Sequence, residues 1–359
     1  MERELVGTVG SPRVAVAVLN HDGSKWLPKC LPSVTRTGSP NVDVYLVDNG
    51  STDGSVTYAR EHFPNVKTIV HSTNLGFAAG YTRALERINA DYFVLLNNDT
   101  EVLSPDWIQS LVKVAAADPR VAAVACKMVS MNNPDCLDSV GGMGIPFWRG
   151  FLDIGREEHD ESQYDSGGFQ PFSFCGGAAL IKRAVFEKAG GFDEMLFMYF
   201  EDVDLSWRFR LLGYRVGFAP DARVAHFFSG SAGIKSVDAT KLYYCHRNLL
   251  RVILKNCGSS LGWALCNYFL FSLILTAGFS VLEPRKVVKI VKALLWNLAN
   301  LRNTYSLRLA VQARRKSAES EVLAIMYPRI RRHQPLEHPR LMRVLNILFE
   351  HSQSIDRLI

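Results

Sequence analysis

The 359-residue chain has seven cysteines and no C-x-x-C pair. An odd number of cysteines without that spacing argues against a disulfide framework. We therefore expect reduced, mostly buried thiols in a cytosolic compartment. The cysteines are Cys30, Cys126, Cys136, Cys175, Cys245, Cys257 and Cys266.

Two further signals are missing near the N-terminus. Residues 1–5 lack the basic and apolar regions of a signal peptide. The first predicted strand ends at Asn20-His-Asp-Gly23 and not in the G-x-G-x-x-G fingerprint of dinucleotide-binding proteins. The second absence counts against a dehydrogenase on a Rossmann-like sheet.

The composition is that of a globular protein, with 48% hydrophobic and 21% charged residues. The length allows one large domain with an appendage, or two domains. The net charge is +6, and most of the basic surplus lies in the C-terminal third. That skew is typical of contact with an anionic partner, either a membrane or a nucleic acid.

Strand and helix patterns alternate four times in the first 125 residues. The predicted strands cover 14–19, 42–47, 66–70, a run from Tyr92, and 121–125. Each of the first four strands ends in polar residues or glycine, and an amphipathic helix pattern follows each. This alternation predicts an α/β fold with a doubly wound, mainly parallel sheet.

The strand that begins at Tyr92 is the most informative stretch. Five apolar or aromatic residues run directly into Asn97, Asn98 and Asp99, which predicts a central buried strand with a polar carboxyl end. Right-handed crossovers would bring Asp48, Asn74 and Asp99 to one edge of the sheet, where open α/β sheets bind ligands. A carboxylate there suits a hard cation and its phosphates, although Asp99 could instead cap a helix starting near Pro105.

Regular patterns are weaker between residues 128 and 226. Residues 128–170 show no periodicity and are predicted to be a functional loop or disordered. A strand with a glycine pair is predicted over 172–181, and a helix opens with Glu201, Asp202 and Asp204 after an aromatic cluster. These acids either complement the helix dipole or include a general base with a raised pKa. His226, after an apolar run, is either a core histidine or a ligand beside a metal-binding carboxylate.

The C-terminal third points to a membrane. Residues 261–282 contain no charged residue and are long enough to cross a bilayer, although a buried or interfacial hairpin helix has the same pattern. Basic and apolar residues alternate over 286–295, as in a helix lying on an anionic membrane. The basic tail at 328–333 has no aromatic platform for stacking bases, so we expect no nucleic-acid partner.

Read together, seven motifs resemble the family 2 glycosyltransferases, and among them the rhamnosyltransferase-like branch. Their order and spacing cover about residues 12–250. The motifs are Val18-Leu-Asn20, Val47-Asp-Asn-Gly-Ser-Thr-Asp-Gly-Ser55, Asn74-Leu-Gly-Phe-Ala-Ala-Gly80, Leu95-Leu-Asn-Asn-Asp-Thr100, Cys175-Gly-Gly-Ala178, Gly191-Phe-Asp-Glu194 and Glu201-Asp-Val-Asp-Leu205.

The resemblance implies a GT-A-type fold over residues 1–250, followed by a helical, membrane-associating region over 251–359. It also implies a nucleotide-sugar donor, an inverting transfer and a divalent cation, Mn²⁺ or Mg²⁺. A single displacement needs a base for the acceptor hydroxyl but no covalent enzyme nucleophile.

The resemblance also assigns roles to individual residues. Asp202 would be the general base, with Glu201 as its rival, while Asp99 would bind the metal and His226 would support the metal or the diphosphate. The implied donor-binding residues are Asn20, Asp48 and Asn49, which would contact base and ribose, together with Asn74, Gly76 and Asn98.

Two positions depart from the family pattern. Many relatives carry two acids near the metal position, whereas Asn97 and Asn98 precede a lone Asp99 here. The metal would therefore bind weakly or arrive with the nucleotide. Tyr81-Thr82 also stands where relatives often have Asn, which weakens the case for a donor contact in that helix.

These observations lead to one main hypothesis and two alternatives. We expect a glycosyltransferase on the cytoplasmic face of the cell membrane that acts on a glycan or lipid-linked acceptor for cell-surface polysaccharide. A dehydrogenase and a non-catalytic membrane scaffold with a nucleotide-sugar-binding fold are the alternatives. The retained Asp99 and Glu201-Asp202 pair favour the enzyme over the scaffold.

Overall fold

The computed structural model describes residues 11–37, 41–145, 150–166, 168–227 and 239–326. The basic tail at 328–333, for which the sequence predicts no nucleic-acid binding, lies outside these ranges.

Four parallel strands form one half of the main sheet, in the order β3-β2-β1-β4. Apolar and aromatic residues dominate β1 and β4, which are buried on both faces. The register pairs Asn20 with Asp48 and Leu19 with Asn97, so the polar strand ends meet at one edge as predicted. The elements are β1 Val14–Asn20, α1 Leu27–Thr35, β2 Val42–Asp48, α2 Ser55–His62, β3 Lys67–Val70, α3 Gly76–Leu85 and β4 Tyr92–Asn97.

The sheet continues beyond β4 in the order β10-β6-β11-β5. Strand β10 is antiparallel to both of its neighbours, whereas β11 is parallel to β6. A short strand that the sequence did not reveal, β5, pairs Thr100 with His226. The elements are β5 Thr100–Val102, α4 Trp107–Ala117, β6 Val121–Ser130, β10 Ala178–Lys182 and β11 Arg215–His226.

The prediction of an irregular segment over 128–170 was wrong for about a third of its length, which forms strands. Strand β6 continues to Ser130, and three short strands follow, two of which form a separate hairpin. Strands of three or four residues are too short to produce a detectable period. They are β7 Leu137–Ser139, β8 Gly142–Ile145 and β9 Gly150–Asp153.

The predicted strand over 172–181 begins later than expected, at Ala178. Ahead of it, the Phe172 N–H donates to Gly142 O at 2.9 Å. The Gly176 N–H donates to the Asp202 carboxylate, also at 2.9 Å. The backbone before β10 is therefore used by contacts outside the main ladder.

A helical layer completes the molecule. A buried apolar cluster that includes Trp207, Leu249 and Tyr268 joins α6 to α7 and α8. The predicted boundary at residue 250 lies inside α7, and the division into two domains stays a prediction. The helices are α5 Arg183–Ala189, α6 Glu201–Leu211, α7 Ala239–Asn256, α8 Leu261–Leu282, α9 Pro284–Ala299, α10 Leu301–Ala313 and α11 Glu319–Met326.

The seven cysteines are free, but the prediction that most of them are buried was wrong, because only three of the seven are. Cys30, Cys126 and Cys257 are buried, and Cys266 on α8 is exposed. Burial raises the pKa of the Cys30 thiol to about 12, so this group stays protonated and unreactive at neutral pH.

Candidate active site

Hydrogen bonds connect the carboxyl ends of β1, β2 and β4. The Asn20 amide nitrogen donates to Asp48 Oδ1 at 3.0 Å, and the Asn98 amide donates to Asn20 Oδ1 at 2.7 Å. Asn20 and Asp48 are almost fully buried. A Cβ on Gly23 would lie 1.9 Å from Asn98 Nδ2, so the network leaves no space for a side chain there.

A second network holds the turn before α3. Asn49 donates from Nδ2 to Asn74 Oδ1 at 3.1 Å and to Gly76 O at 2.8 Å, and its Oδ1 accepts from the Leu75 N–H at 3.0 Å. Gly76 has φ +75°, and an added Cβ would lie 2.5 Å from Phe197 O. The buried Asn49 side chain therefore shapes the turn, in addition to any contact with a ligand.

The predicted metal residues lie side by side. Pairing of β5 with β11 brings His226 Nε2 to 3.4 Å from Asp99 Oδ1. The other ring nitrogen, Nδ1, lies 2.7 Å from Asp138 Oδ2. Burial lowers the pKa of His226, but its hydrogen bonds to Asp138 and Asp99 outweigh that effect and raise the pKa to about 9.

This pair fits a divalent cation in chemistry, provided that the cation displaces the proton of His226, but not in number. Carboxylate and imidazole are common metal ligands, and a second carboxylate on the far nitrogen is the usual device that orients a ligating histidine. Within the described ranges, however, no three His, Cys, Asp or Glu side chains are grouped to hold a metal. Asp99 and His226 would therefore supply at most two ligands, and the donor and water would supply the others.

Asp202 occupies the first turn of α6, opposite the glycine pair. Its carboxylate accepts from the Gly176 N–H at 2.9 Å and from the Val203 N–H at 2.7 Å. Burial raises the pKa of Asp202 to about 6, the Gly176 bond opposes this, and the charge of Asp153 acts in the same direction as burial. Near neutral pH this carboxylate is ionised and still basic enough to accept a proton.

Glu201, the rival base, is placed differently. Its side chain is 6% exposed, and Oε2 has no hydrogen-bond partner among the described residues. Burial and the nearby charge of Asp202 raise the pKa of Glu201 well above its usual value. A carboxyl that is this buried and ionises less readily is poorly placed to act as a base, so the geometry favours Asp202.

Asp204, the third acid of this turn, belongs to a buried ion network. Its carboxylate lies 2.8 Å from Arg208 Nη2 and 2.8 Å from Lys255 Nζ. Lys255 and Arg251 also contact Asp193 of the Gly191-Phe-Asp-Glu194 motif. This part of the acidic cluster therefore joins α6 to α7.

Three further charged residues near the site were not predicted from the sequence. Arg156 lies 3.2 Å from both Asp138 and Asp153. Asp138 contacts His226, and the charge of Asp153 raises the pKa of Asp202. Arg156, Asp138 and Asp153 all fall in the segment that shows no periodicity. As single charged residues between short strands, they carry no recognisable pattern in the sequence.

Comparison with known proteins agrees with this arrangement. Residues 14–190 match the model of glycosyl transferase family 2. The chain belongs to that family. It is a glycosyltransferase, and the predicted enzyme class is confirmed.

Two relatives support the predicted branch. The chain is 29% identical to N-acetylglucosaminyl-diphospho-decaprenol L-rhamnosyltransferase of Mycobacterium tuberculosis, with 61% of this chain and 77% of that protein covered. It is 28% identical to O-antigen biosynthesis protein RfbC of Myxococcus xanthus, with 62% of this chain and 18% of that protein covered. The rhamnosyltransferase-like resemblance is confirmed.

Solved structures support the fold. GalNAc-T7 with UDP, GalNAc and Mn²⁺ superposes with a TM-score of 0.54 at 16% identity, over 68% of this chain and 48% of that chain. S. aureus TarS 1-349 in complex with UDP gives a TM-score of 0.51 at 15% identity, over 84% and 90%. The family 2 glycosyltransferase therefore has the predicted GT-A-like sheet with a helical C-terminal region.

Proposed function

We propose that this glycosyltransferase moves a sugar, with inversion, from a nucleoside-diphosphate donor to a hydroxyl of a lipid-linked glycan in cell-surface polysaccharide synthesis. The observation that carries the proposal is Asp202, an ionisable carboxylate with a raised pKa that lies in the first turn of α6 and accepts from the Gly176 N–H. The similarity to a rhamnosyltransferase with a decaprenol-linked substrate supports a polyprenyl-diphosphate sugar as the acceptor.

In this mechanism the donor lies along the ends of β1, β2 and β4. Asn20, Asp48 and Asn49 would contact base and ribose, and Asn74, Gly76 and Asn98 would line the rest of the donor site. Asp202 would accept the proton of the acceptor hydroxyl as that oxygen attacks the anomeric carbon. The glycosyl–phosphate bond breaks in the same step, which inverts the anomeric centre.

The departing diphosphate carries negative charge that needs compensation. Asp99 and His226 would hold a divalent cation, Mn²⁺ or Mg²⁺, which supplies Lewis-acid stabilisation when bound. Asp138 would keep the imidazole oriented through its 2.7 Å contact with Nδ1. The structurally similar GalNAc-T7, solved with UDP, GalNAc and Mn²⁺, is consistent with this cofactor class.

The acceptor lipid requires access to a bilayer. Helix α8 is long and apolar enough to span a membrane, and 22% of its most apolar window is buried within the protein. We propose that α8 to α10 attach the enzyme to the cytoplasmic face of the membrane. Exposed apolar side chains on α8 and α9 and basic residues such as Lys289 support attachment.

The base assignment predicts that Asp202→Asn lowers the transfer rate by about 10³-fold, within the usual range for a lost general base. Donor binding should persist, because Asn keeps the size of the side chain. Glu201→Gln is the matched control and should stay within a few-fold of wild type. Full transfer by Asp202→Asn would refute the assignment.

The class of donor can be identified from the stabilisation that a bound donor gives to the folded protein. Thermal unfolding would be measured with UDP-, dTDP- and GDP-sugars, L-rhamnose derivatives included, with and without Mn²⁺. A bound donor raises the midpoint by mass action. We expect a shift with one nucleotide class that depends on Mn²⁺ and is lost in Asp99→Ala; no shift with any donor would favour the scaffold alternative.

A further inference from the structure

The backbone leading into Asp202 is strained. Phe197, Tyr199 and Phe200 have φ of 64°, 69° and 68°, a region that residues with side chains rarely adopt. Such conformations are disfavoured for residues with side chains, so the surrounding structure must hold the segment in place. The residue after this segment is Glu201, and the next is Asp202.

One buried amide on α7 contacts three carbonyls of this segment. Asn248 is fully buried, and its Nδ2 lies 2.9 Å from Leu196 O and 2.8 Å from both Met198 O and Tyr199 O. A side-chain amide has two N–H groups, so one of them is shared between two carbonyls. This amide therefore satisfies the polar groups that the unusual conformation turns towards α7.

The neighbouring Arg247 fixes the orientation of that amide. Its Nε donates to Asn248 Oδ1 at 2.8 Å, which leaves Nδ2 facing the carbonyls. Its Nη2 donates to Leu196 O at 2.6 Å and Met195 O at 2.9 Å. The guanidinium is in turn held 4.4 Å from the Trp296 ring of α9.

The same segment reaches the donor turn. Phe197 O accepts from the Phe77 N–H at 2.6 Å and from the Ala78 N–H at 3.1 Å, at the start of α3. A shift of the segment would therefore disturb the position of Asp202 on one side and the turn at Gly76 on the other.

We propose that Asn248, oriented by Arg247, is a positioning residue that holds the 195–200 segment and so places Asp202 against the acceptor hydroxyl. The inference rests on the proposed role of Asp202 as the base. Without the Asn248 amide, the segment is free to relax towards ordinary φ values, and Asp202 becomes hydrated.

The test compares Asn248→Asp and Asn248→Ala with Asn256→Ala in the full chain. Asn256 lies on the same helix, is equally buried and donates instead to Asp204 Oδ1. Release of nucleoside diphosphate from the donor identified above would be measured with N-acetylglucosaminyl-diphospho-decaprenol as acceptor. We expect kcat to fall 10- to 100-fold in both Asn248 variants, and the acidic limb of the kcat–pH profile to move below pH 6.

A smaller perturbation guards against variants that do not fold. Arg247→Lys keeps the charge but loses the forked contacts, and we expect the same pH shift with a smaller loss of kcat. Unchanged profiles in the folded Asn248 and Arg247 variants, or equal losses in Asn256→Ala, would overturn the positioning role. If Asp202→Asn itself transfers sugar normally, the base assignment fails instead, and the inference fails with it.

Discussion

At the scale of single residues, burial gives neighbouring acids different roles. Asp202 has a pKa of about 6 and accepts two backbone hydrogen bonds, whereas Glu201 is buried beside it with one oxygen unpartnered among the described residues. Asp204 is neutralised by Arg208 and Lys255. Three acids within four residues thus differ because their surroundings differ.

The pKa of Asp202 predicts a pH dependence. Because the base must be deprotonated, kcat should be constant above pH 6 and fall tenfold per unit below it. Asp153→Asn removes a nearby negative charge, which should move this limb to lower pH. The kcat–pH profile is measured with saturating donor and acceptor. An acidic limb at the same pH in wild type and Asp153→Asn would show that Asp153 does not influence the pKa of Asp202.

Gly76 and Gly54 form a matched pair for testing the donor turn. Both have positive φ, but a Cβ on Gly76 would collide with Phe197, whereas Gly54 has open space. Gly54→Ala should therefore cost about 1 kcal/mol of stability and leave donor affinity unchanged. Gly76→Ala should cost more stability than Gly54→Ala and should weaken donor binding at least tenfold. Urea unfolding measures the stability of each variant, and donor titration measures its affinity. Equal losses in the two variants would contradict the proposed contact.

At the scale of elements, a buried lysine holds the segment between β6 and β10. Lys127 on β6 is 2% exposed and lies 2.9 Å from Asp160 Oδ1 and 2.7 Å from Asp165 Oδ1. Arg223 on β11 also contacts Asp160. A segment without sequence periodicity is thus fixed by ion pairs to two central strands.

Replacing Lys127 tests the importance of those ion pairs. Lys127→Ala leaves two carboxylates without their main partner and should lower the free energy of unfolding by about 3–5 kcal/mol. Lys67 is the control, because its pair with Asp43 is more than half exposed, and Lys67→Ala should cost at most about 1 kcal/mol. Urea unfolding of both variants gives the comparison, and similar losses would show that burial is not decisive.

At the scale of the whole molecule, the helical layer has both buried and exposed apolar side chains. Leu249, Val252 and Tyr268 are buried against the catalytic part. Away from this cluster, three successive helices carry exposed apolar side chains: Leu270, Leu273, Ile274, Val291, Leu295, Leu298 and Leu309. So many exposed apolar side chains are typical of a membrane or protein contact.

We predict that these exposed side chains carry membrane binding. The full chain should sediment with vesicles of phosphatidylglycerol and phosphatidylethanolamine, and Leu270→Asp combined with Leu273→Asp should reduce the bound fraction at least fivefold, because buried charge is disfavoured in the bilayer. Leu103→Asp is the control, since Leu103 is exposed but follows β5. Binding that survives the double substitution would place the contact elsewhere.

The sequence by itself determined the family, the alternating strands and helices, and the polar strand ends. These features are local. The apolar run that stops at Asn97, for example, indicates a buried strand and the point where that strand ends. The register of β1 with β2 and β4 brings the polar strand ends at Asn20, Asp48 and Asn97 to the one edge of the sheet that the alternation of strands and helices predicted. The hydrophobic pattern was sufficient for β1, β2 and β4 because these strands have 7, 7 and 6 residues.

Only the tertiary structure decided which acids act together. The contacts among Asp138, His226 and Asp99 join residues that are distant in sequence, and they depend on β5 and β7, each three residues long. The support of the strained segment by Asn248 depends on α7 packing behind it. Such contacts arise from the packing of whole elements and leave no period in the sequence, because each partner contributes only one side chain.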